Sequence, residues 1–254
     1  MIADGWDPER IFVSDPDPEQ LATLRASFPV QTDTDNNTAA KQADIIMLAV
    51  KPPVIHAVAK NLAQLVQHRQ PLLISIAAGI RTSDLQRWAG GKCALVRCMP
   101  NTPALVQSGA TALFASATVT DEQKGLAETI LRAVGLTLWV DDESLMDPVT
   151  ALSGSGPAYI FLVIEALQQA GENLGLDSRT ARLLALQTAF GAAKMALESP
   201  EPASTLRQRV TSPGGTTEKA LAVLEDGQLR ALFNDALTAA RDRSRELADR
   251  LGKE

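Results

Sequence analysis

A loop rich in glycine and hydroxyl residues precedes a helical pattern late in the chain. It reads RVTSPGGTTEKAL over residues 209–221. The first amides of a helix have no internal acceptor and carry the positive end of the helix dipole, so they favour an anion. Gly214 and Gly215 let the backbone approach a ligand closely, and Ser212 adds a hydroxyl donor. The loop therefore predicts a binding site for a small carboxylate.

The same residues also suit a helix start that binds nothing. Threonine is a common N-cap, and Thr216 or Thr217 stands where it would cap the first turn of the following helix. The glycines would then only form the preceding turn. The pattern alone leaves both interpretations open.

Two loops in the first half of the chain follow predicted buried strands. AVKPP at residues 49–53 places Lys51 at the end of one strand, and RCMPNTP at residues 97–103 holds Asn101 between prolines. Ligands of open α/β sheets bind at the carboxyl ends of strands. Both side chains are therefore candidates for binding, although a proline pair also simply starts a helix.

The order of predicted elements divides the chain into two domains. Over residues 1–143, short apolar runs without strict alternation are separated by helical patterns, which predicts a doubly wound, Rossmann-like α/β domain with a parallel sheet covered on both faces. Residues 144–254 show only helical spacing, which predicts an all-α domain. Its segments 156–175 and 178–199 are apolar on several sides, so we expect a homo-oligomer in which another subunit helps to cover them.

Asp15 is a candidate partner for the ribose of a dinucleotide. In such folds an acidic residue closes the second strand about 20 residues after a glycine-rich turn. Counting back from Asp15 puts that turn before Met1, and MIADGWD is typical of the end of a helix, with Gly5 in the left-handed cap position. We therefore expect the chain to begin inside the fold, without its first strand. The alternative is an ordinary amino terminus with Asp15 as a turn residue.

Composition argues against several classes of protein. A net charge of −6 and a pI near 5.1 provide no basic field for nucleic acid. The apolar run at residues 45–50 is far too short for a membrane span, and the first residues lack the pattern of a signal peptide. We expect a soluble cytoplasmic protein without nucleic-acid or membrane partners.

Neither the cysteines nor the histidines predict a metal site. Cys93 and Cys98 fall in an apolar, strand-like run, as core thiols do. His56 and His68 lie in a helical pattern without further ligands at suitable spacing.

Four motifs, in order and at these separations, resemble pyrroline-5-carboxylate reductase. They are AVKP at 49–52, RCMPNTP at 97–103, ALSGSGPAY at 151–159 and VTSPGGTTEKALAVLE at 210–225. The resemblance implies an amino-terminal Rossmann domain and a helical domain that interlocks with its twin in a dimer, often assembled further into decamers. It also implies reduction of 1-pyrroline-5-carboxylate to L-proline with NADPH or NADH, the last step of proline biosynthesis. Members of the family begin with a strand and a glycine-rich turn, which this chain does not show.

The resemblance also implies roles for individual residues. Ser14, Asp15 and Asn36 would lie near the adenosine end of the cofactor. The path to the nicotinamide would be lined by Ala49, Val50, Lys51, Ala77, Ala78 and Asn101. The substrate loop would comprise Ser212, Gly215, Thr216 and Thr217. We expect the Thr217 hydroxyl to hydrogen-bond the ring nitrogen of the imine and so to act in catalysis.

Some choices stay open at this point. Ser153 to Gly156 could admit substrate or merely let helices approach closely. Asp15 favours NADH, because it would accept from ribose hydroxyls and repel a 2′-phosphate. The loop SDPDP could instead turn that carboxylate away and offer Ser14 to a phosphate.

Two rival functions remain. A β-hydroxyacid dehydrogenase, or another imine reductase of this architecture, would share the fold. A β-hydroxyacid dehydrogenase places a catalytic lysine shortly after a glycine-rich segment. In this chain the first lysine after Gly156 is Lys194. The other rival is a truncated, non-catalytic module that senses nucleotides or supports assembly, consistent with the expected lack of a glycine-rich turn.

Overall fold

The computed structural model describes residue 2 and residues 5–253, which form two compact units. One unit comprises Met1–Gly154 with Ala240–Glu254, and the other comprises Ser155–Ala239. These units divide the chain differently from the predicted domains 1–143 and 144–254. The difference arises because the end of the last helix packs within the first unit, where the Ser244 hydroxyl donates to the Asp147 carboxylate at 2.7 Å.

The first unit contains seven strands in two sheets. They are β1 (Phe12–Ser14), β2 (Gln31–Asp33), β3 (Ile45–Leu48), β4 (Leu72–Ser75), β5 (Leu95–Met99), β6 (Gly109–Ala115) and β7 (Gly135–Trp139). β1 and β2 form a parallel pair, and the larger sheet has the order β3-β4-β5-β6-β7. All of its pairs are parallel except β5 with β6. The expectation of a wholly parallel sheet is wrong for that pair, because residues 100–108 are too short for the crossover that parallel neighbours need.

The two sheets are separate within the described residues. Within the described residues, β1 pairs only with β2. There β3 is an edge strand of the larger sheet and pairs only with β4. Gly5 has the positive φ, 88°, that the predicted helix end requires, whereas the helix itself would fall partly on residues 1, 3 and 4, which lie outside the described residues.

Helices cover both faces of the larger sheet. In the first unit they are α1 (Pro18–Ser27), α2 (Asn36–Ala40), α3 (Pro52–Arg69), α4 (Thr82–Trp88), α5 (Asp121–Arg132) and α6 (Met146–Val149). Leu73 of β4 packs in one core with α3 and α4, while its neighbours Leu72 and Ile74 pack in a second core with α5. Every residue of β4 is buried as a result, which explains why its sequence does not alternate.

The second unit is helical throughout. It contains α7 (Gly156–Asn173), α8 (Ser178–Glu198), α9 (Ala203–Arg209), α10 (Thr216–Asp226) and the first part of α11 (Leu229–Leu251). Large apolar side chains stand in solvent on α7 and α8: Phe161 is 65% exposed, Phe190 60% and Leu197 82%. The stretch 143–173 is even long and apolar enough to cross a membrane by length and composition. Such faces need cover that one copy of the unit does not provide.

Glu143 connects three parts of the first unit. Its Oε1 accepts from the Arg97 guanidinium at 2.9 Å and from the Thr82 amide at 2.8 Å, while Oε2 accepts from the Thr82 hydroxyl at 2.7 Å. The Arg97 side chain is only 7% exposed. A buried guanidinium needs a counter-charge, so Glu143 neutralises Arg97 of β5 and also caps the start of α4.

Replacing Glu143 with alanine should destabilise the protein by about 3 kcal/mol, because it leaves the buried Arg97 charge without a partner and α4 without a cap. Denaturant unfolding of the two proteins measures the loss. Glu246→Ala is the matched control, since its partner Arg243 is 60% exposed, and it should cost less than about 1 kcal/mol. Equal losses in both variants would contradict this role of Glu143.

Candidate cofactor and substrate sites

The carboxyl end of β1 brings together three of the predicted residues. The Ser14 hydroxyl donates to the Asn36 side-chain oxygen at 2.8 Å, which joins β1 to the start of α2. Asp15 lies immediately beyond β1, and its Oδ1 accepts from the Asp17 amide at 2.8 Å. All three side chains are half-buried. These three residues therefore lie together at the end of β1.

The end of β2 adds two carboxylates that the sequence analysis did not single out. Asp33 accepts from the Asp35 amide at 2.8 Å, and Asp35 caps α2 by accepting from the amides of Asn37 and Thr38. The hydroxyl and amide of Thr38, with the amide of Asn37, lower the pKa of Asp35, which favours its ionised form. The sequence signal was the run DTDNNT, in which an aspartate precedes a short helix.

Three further loops leave β3, β4 and β5 at one edge of the larger sheet. Ala49, Val50 and Lys51 link β3 to α3, with Lys51 exposed at the N-cap position. Ala77 and Ala78 follow β4, and Asn101 follows β5. Because these three strands are parallel neighbours, their carboxyl ends share an edge. The six residues predicted to line the nicotinamide path therefore lie along a single edge.

The Asn101 amide is fully engaged within the first unit. Its Oδ1 accepts from the Ala110 backbone amide at 2.9 Å, and its Nδ2 donates to the Ser153 hydroxyl at 3.2 Å. Next to it, a Cβ on Gly154 would lie 2.4 Å from the Met99 terminal methyl group. These contacts favour close packing as the reason for the small residues at 153 and 154. Gly156 stands apart, because a Cβ there would meet nothing within 4 Å.

The loop at 212–217 is an uncapped helix start. Gly215 is the N-cap residue of α10 and no side chain caps it, so Thr216 and Thr217 occupy the first two helical positions. The interpretation of either threonine as an N-cap is therefore wrong. Gly214 adopts a φ of 73°, a conformation that a side chain would strain, and its amide donates to the Glu218 carboxylate at 2.8 Å.

Three amides at this helix start remain available. Within the described residues, no hydrogen bond uses the backbone amides of Thr216, Thr217 or Glu218, and the first bond of the helix runs from the Lys219 amide to the Gly215 carbonyl at 3.3 Å. Ser212 and Thr216 are exposed, while Gly215 and Thr217 are half-buried. The exposed amides and the helix dipole both favour an anion at this position.

The residues present suit the two ends of a dinucleotide. A dinucleotide needs a hydrogen-bond acceptor for its ribose hydroxyls, close amides for its pyrophosphate and an open strand edge for its nicotinamide. Asp15 supplies the acceptor, since only Oδ1 is engaged among the described residues. The shared edge at the carboxyl ends of β3, β4 and β5 suits the nicotinamide. The fit therefore lies at the ribose and nicotinamide ends.

Asn101→Ala should destabilise the protein more than Ser153→Ala does. The first change leaves the Ala110 amide without its acceptor, at a cost of about 1–3 kcal/mol, whereas the second removes one neutral hydrogen bond worth about 1 kcal/mol. Thermal unfolding of both variants beside the parent protein gives the comparison. An Asn101→Ala variant as stable as the parent would show that the amide does not hold these segments together.

Both parts of the chain match known families. Residues 143–247 match the family described as pyrroline-5-carboxylate reductase dimerisation, and residues 1–79 match the family described as NADP oxidoreductase coenzyme F420-dependent. The first match covers α7 and α8, whose apolar faces are exposed, and it supports homo-oligomerisation.

Individual relatives agree over almost the whole chain. The chain is 47% identical to pyrroline-5-carboxylate reductase of Pseudomonas aeruginosa, over 100% of this chain and 92% of that protein. A solved structure of the enzyme from Coxiella burnetii has a TM-score of 0.94 at 51% identity, covering 97% of this chain and 92% of the other. The Plasmodium falciparum enzyme with NADP bound has a TM-score of 0.84 at 31% identity, covering 97% and 90%. With its helical carboxyl-terminal region matched and its near-complete likeness to these enzymes, the chain belongs to the pyrroline-5-carboxylate reductase family.

Proposed function

We propose that this protein reduces 1-pyrroline-5-carboxylate to L-proline with NADPH or NADH, the last step of proline biosynthesis. The observation that carries the proposal is the uncapped start of α10, where three amides make no hydrogen bond within the described residues and stand beside two glycines. The substrate is a small carboxylate, and this helix start offers what a carboxylate binds. Membership of the family supplies the reaction.

The first unit would hold the cofactor. Asp15 accepts from the adenosine ribose, with Ser14 and Asn36 beside it, and Ala49, Val50, Lys51, Ala77, Ala78 and Asn101 line the strand edge for the nicotinamide end. The bound cofactor supplies a hydride to the imine carbon. Since Asn101 already holds Ala110 and Ser153, its contribution is to fix the loop rather than to contact substrate.

The second unit would hold the substrate. The amides of Thr216, Thr217 and Glu218 receive the carboxylate, with the Ser212 hydroxyl as a further donor and Gly215 leaving room for close approach. The Thr217 hydroxyl hydrogen-bonds the ring nitrogen and orients the imine. Residues 209–221 contain no His or Cys, so the proton arrives with the iminium or from water. Catalysis here is mainly positioning.

The remaining partners follow from the family. The exposed faces of α7 and α8 close on a second copy of the chain, and dimers assemble further into decamers. Such an enzyme works in the cytoplasm on a small molecule, without nucleic acid or membrane. A dehydrogenase of the β-hydroxyacid class is disfavoured by family membership.

The proposal is tested by following the absorbance of reduced nicotinamide in the presence of 1-pyrroline-5-carboxylate, with NADPH and NADH in parallel. We expect turnover with at least one of them. A protein that binds cofactor but does not turn over substrate would instead favour the non-catalytic module.

Thr217→Ala should lower kcat/KM by about 10-fold to 100-fold, the scale of one lost hydrogen bond in the transition state. Thr217→Ser keeps the hydroxyl and should retain most of the activity. Thr129→Ala is the remote control, since that hydroxyl bonds only the Gly125 carbonyl on α5. Unchanged kinetics in Thr217→Ala would refute the catalytic role.

Light scattering at micromolar concentration should give a dimer or a larger assembly. Phe161→Glu places a charge on the apolar face of α7 and should reduce the molar mass of the assembly. Phe28→Glu is the control, because Phe28 lies just after α1 and is 46% exposed, and this change should leave the molar mass of the assembly unchanged. A monomeric parent protein would contradict the proposed assembly.

A further inference from the structure

The proposed cofactor site is strongly negative where the adenosine ribose would bind. We propose that this protein prefers NADH to NADPH, and that Asp15 is the residue that discriminates between them. The inference rests on the proposed function, because it concerns the same cofactor site.

The Asp15 carboxylate is held at the end of β1 with one oxygen to spare. Its Oδ1 accepts from the Asp17 amide at 2.8 Å, so the turn fixes the carboxylate beside its own strand instead of leaving it to rotate freely. Among the described residues, Oδ2 makes no hydrogen bond. A ribose with free hydroxyls can donate to that oxygen, whereas a 2′-phosphate has only acceptors to offer it.

The neighbouring charges have the same sign. Ser14 pairs in register with Asp33, and Asp35 and Asp17 lie in the turns that leave β2 and β1. Within residues 2 and 5–253, no Lys or Arg forms an ion pair with any of these four carboxylates. A 2′-phosphate carries a charge of about −1.5 to −2 and would enter this field unpaired.

One cation, Arg25, contacts this small sheet. The Arg25 guanidinium donates to the Thr32 hydroxyl at 2.7 Å. Successive side chains of a strand point to opposite faces, so Arg25 contacts the face opposite to that of Asp33. It is therefore not placed beside Asp33 to neutralise a phosphate.

Ser14 does not offset this repulsion. Its hydroxyl proton is already donated to the Asn36 side-chain oxygen at 2.8 Å, so a phosphate would have to break that bond before the serine could serve it. The alternative in which the loop turns Asp15 away and presents Ser14 is not the arrangement observed.

Calorimetric binding of ADP-ribose and of 2′-phospho-ADP-ribose to the full-length protein tests the preference without requiring turnover. We expect ADP-ribose to bind at least about 10-fold more tightly, on the scale of a hydrogen bond to a charged group. The ratio should narrow as salt is added, because salt screens the repulsion of the phosphate. The ratio of kcat/KM for NADH to kcat/KM for NADPH should favour NADH in the same way as the affinity ratio favours ADP-ribose.

Asp15→Ser should weaken ADP-ribose binding about 10-fold and reduce or reverse the preference. Asp121→Asn is the matched control, because it removes a fully exposed carboxylate at the start of α5 and should leave the ratio unchanged. The comparison of the two ligands in the parent protein stands even if the Asp15 variant fails to fold.

The outcomes separate this inference from the proposed function. Tighter binding of the phosphorylated ligand by the parent protein, or an unchanged ratio in a folded Asp15→Ser variant, would overturn the inference and leave the reductase intact. Binding of neither ligand, together with no turnover, would overturn both.

Discussion

A carboxylate that serves a buried charge and a helix end at once sets the geometry of the first unit. Glu143 is bonded to Arg97 on β5 and to the backbone and hydroxyl of Thr82 at the start of α4. The loop between β4 and α4, which contains Ala77 and Ala78, ends at this point. The Arg97 guanidinium is buried, so leaving its charge without Glu143 would be costly. If Glu143 moved, both β5 and the end of this loop would therefore have to move with it.

The loop at residues 212–217 precedes a helix whose first amides no side chain caps. Other helices have such a cap, and in α8 it is Asp177, which accepts from the Thr180 amide. In α10 the same position is Gly215, which has nothing to offer. Helices α3, α7 and α9 also begin without a side-chain cap, so the missing cap alone does not distinguish α10. What distinguishes α10 is the pair of glycines before it, of which Gly214 adopts a φ of 73° and leaves the backbone open to a ligand.

Much of this organisation was predictable from sequence, and the exceptions have local causes. Buried strands such as β4 and long helices such as α3 have strong patterns, so their positions were predicted. The antiparallel direction of β6 was not predicted, because strand direction depends on the length of the connection and not on the residues of the strand. The short β2 and α2 were also missed, since elements of three and five residues carry little periodicity.

The site was predicted in composition but not in detail. Motifs indicated the residues of the proposed substrate loop, yet whether a threonine or a glycine caps α10 depends on where the helix begins, to within one residue. Similarly, Asp15 was a candidate from its place after β1, but the direction of its carboxylate depends on a hydrogen bond to the Asp17 amide. Asn101 was assigned to the cofactor, whereas its amide proves to be engaged with Ala110 and Ser153.

The exposed apolar side chains of α7 and α8 have a thermodynamic consequence. The second unit alone leaves Phe161, Phe190 and Leu197 in water, so much of the burial that should stabilise it is gained only when copies associate. Its folding equilibrium is then coupled to a mass-action term in protein concentration. The stability of such a protein is a property of the solution as well as of the chain, and dilution acts on it as a denaturant would.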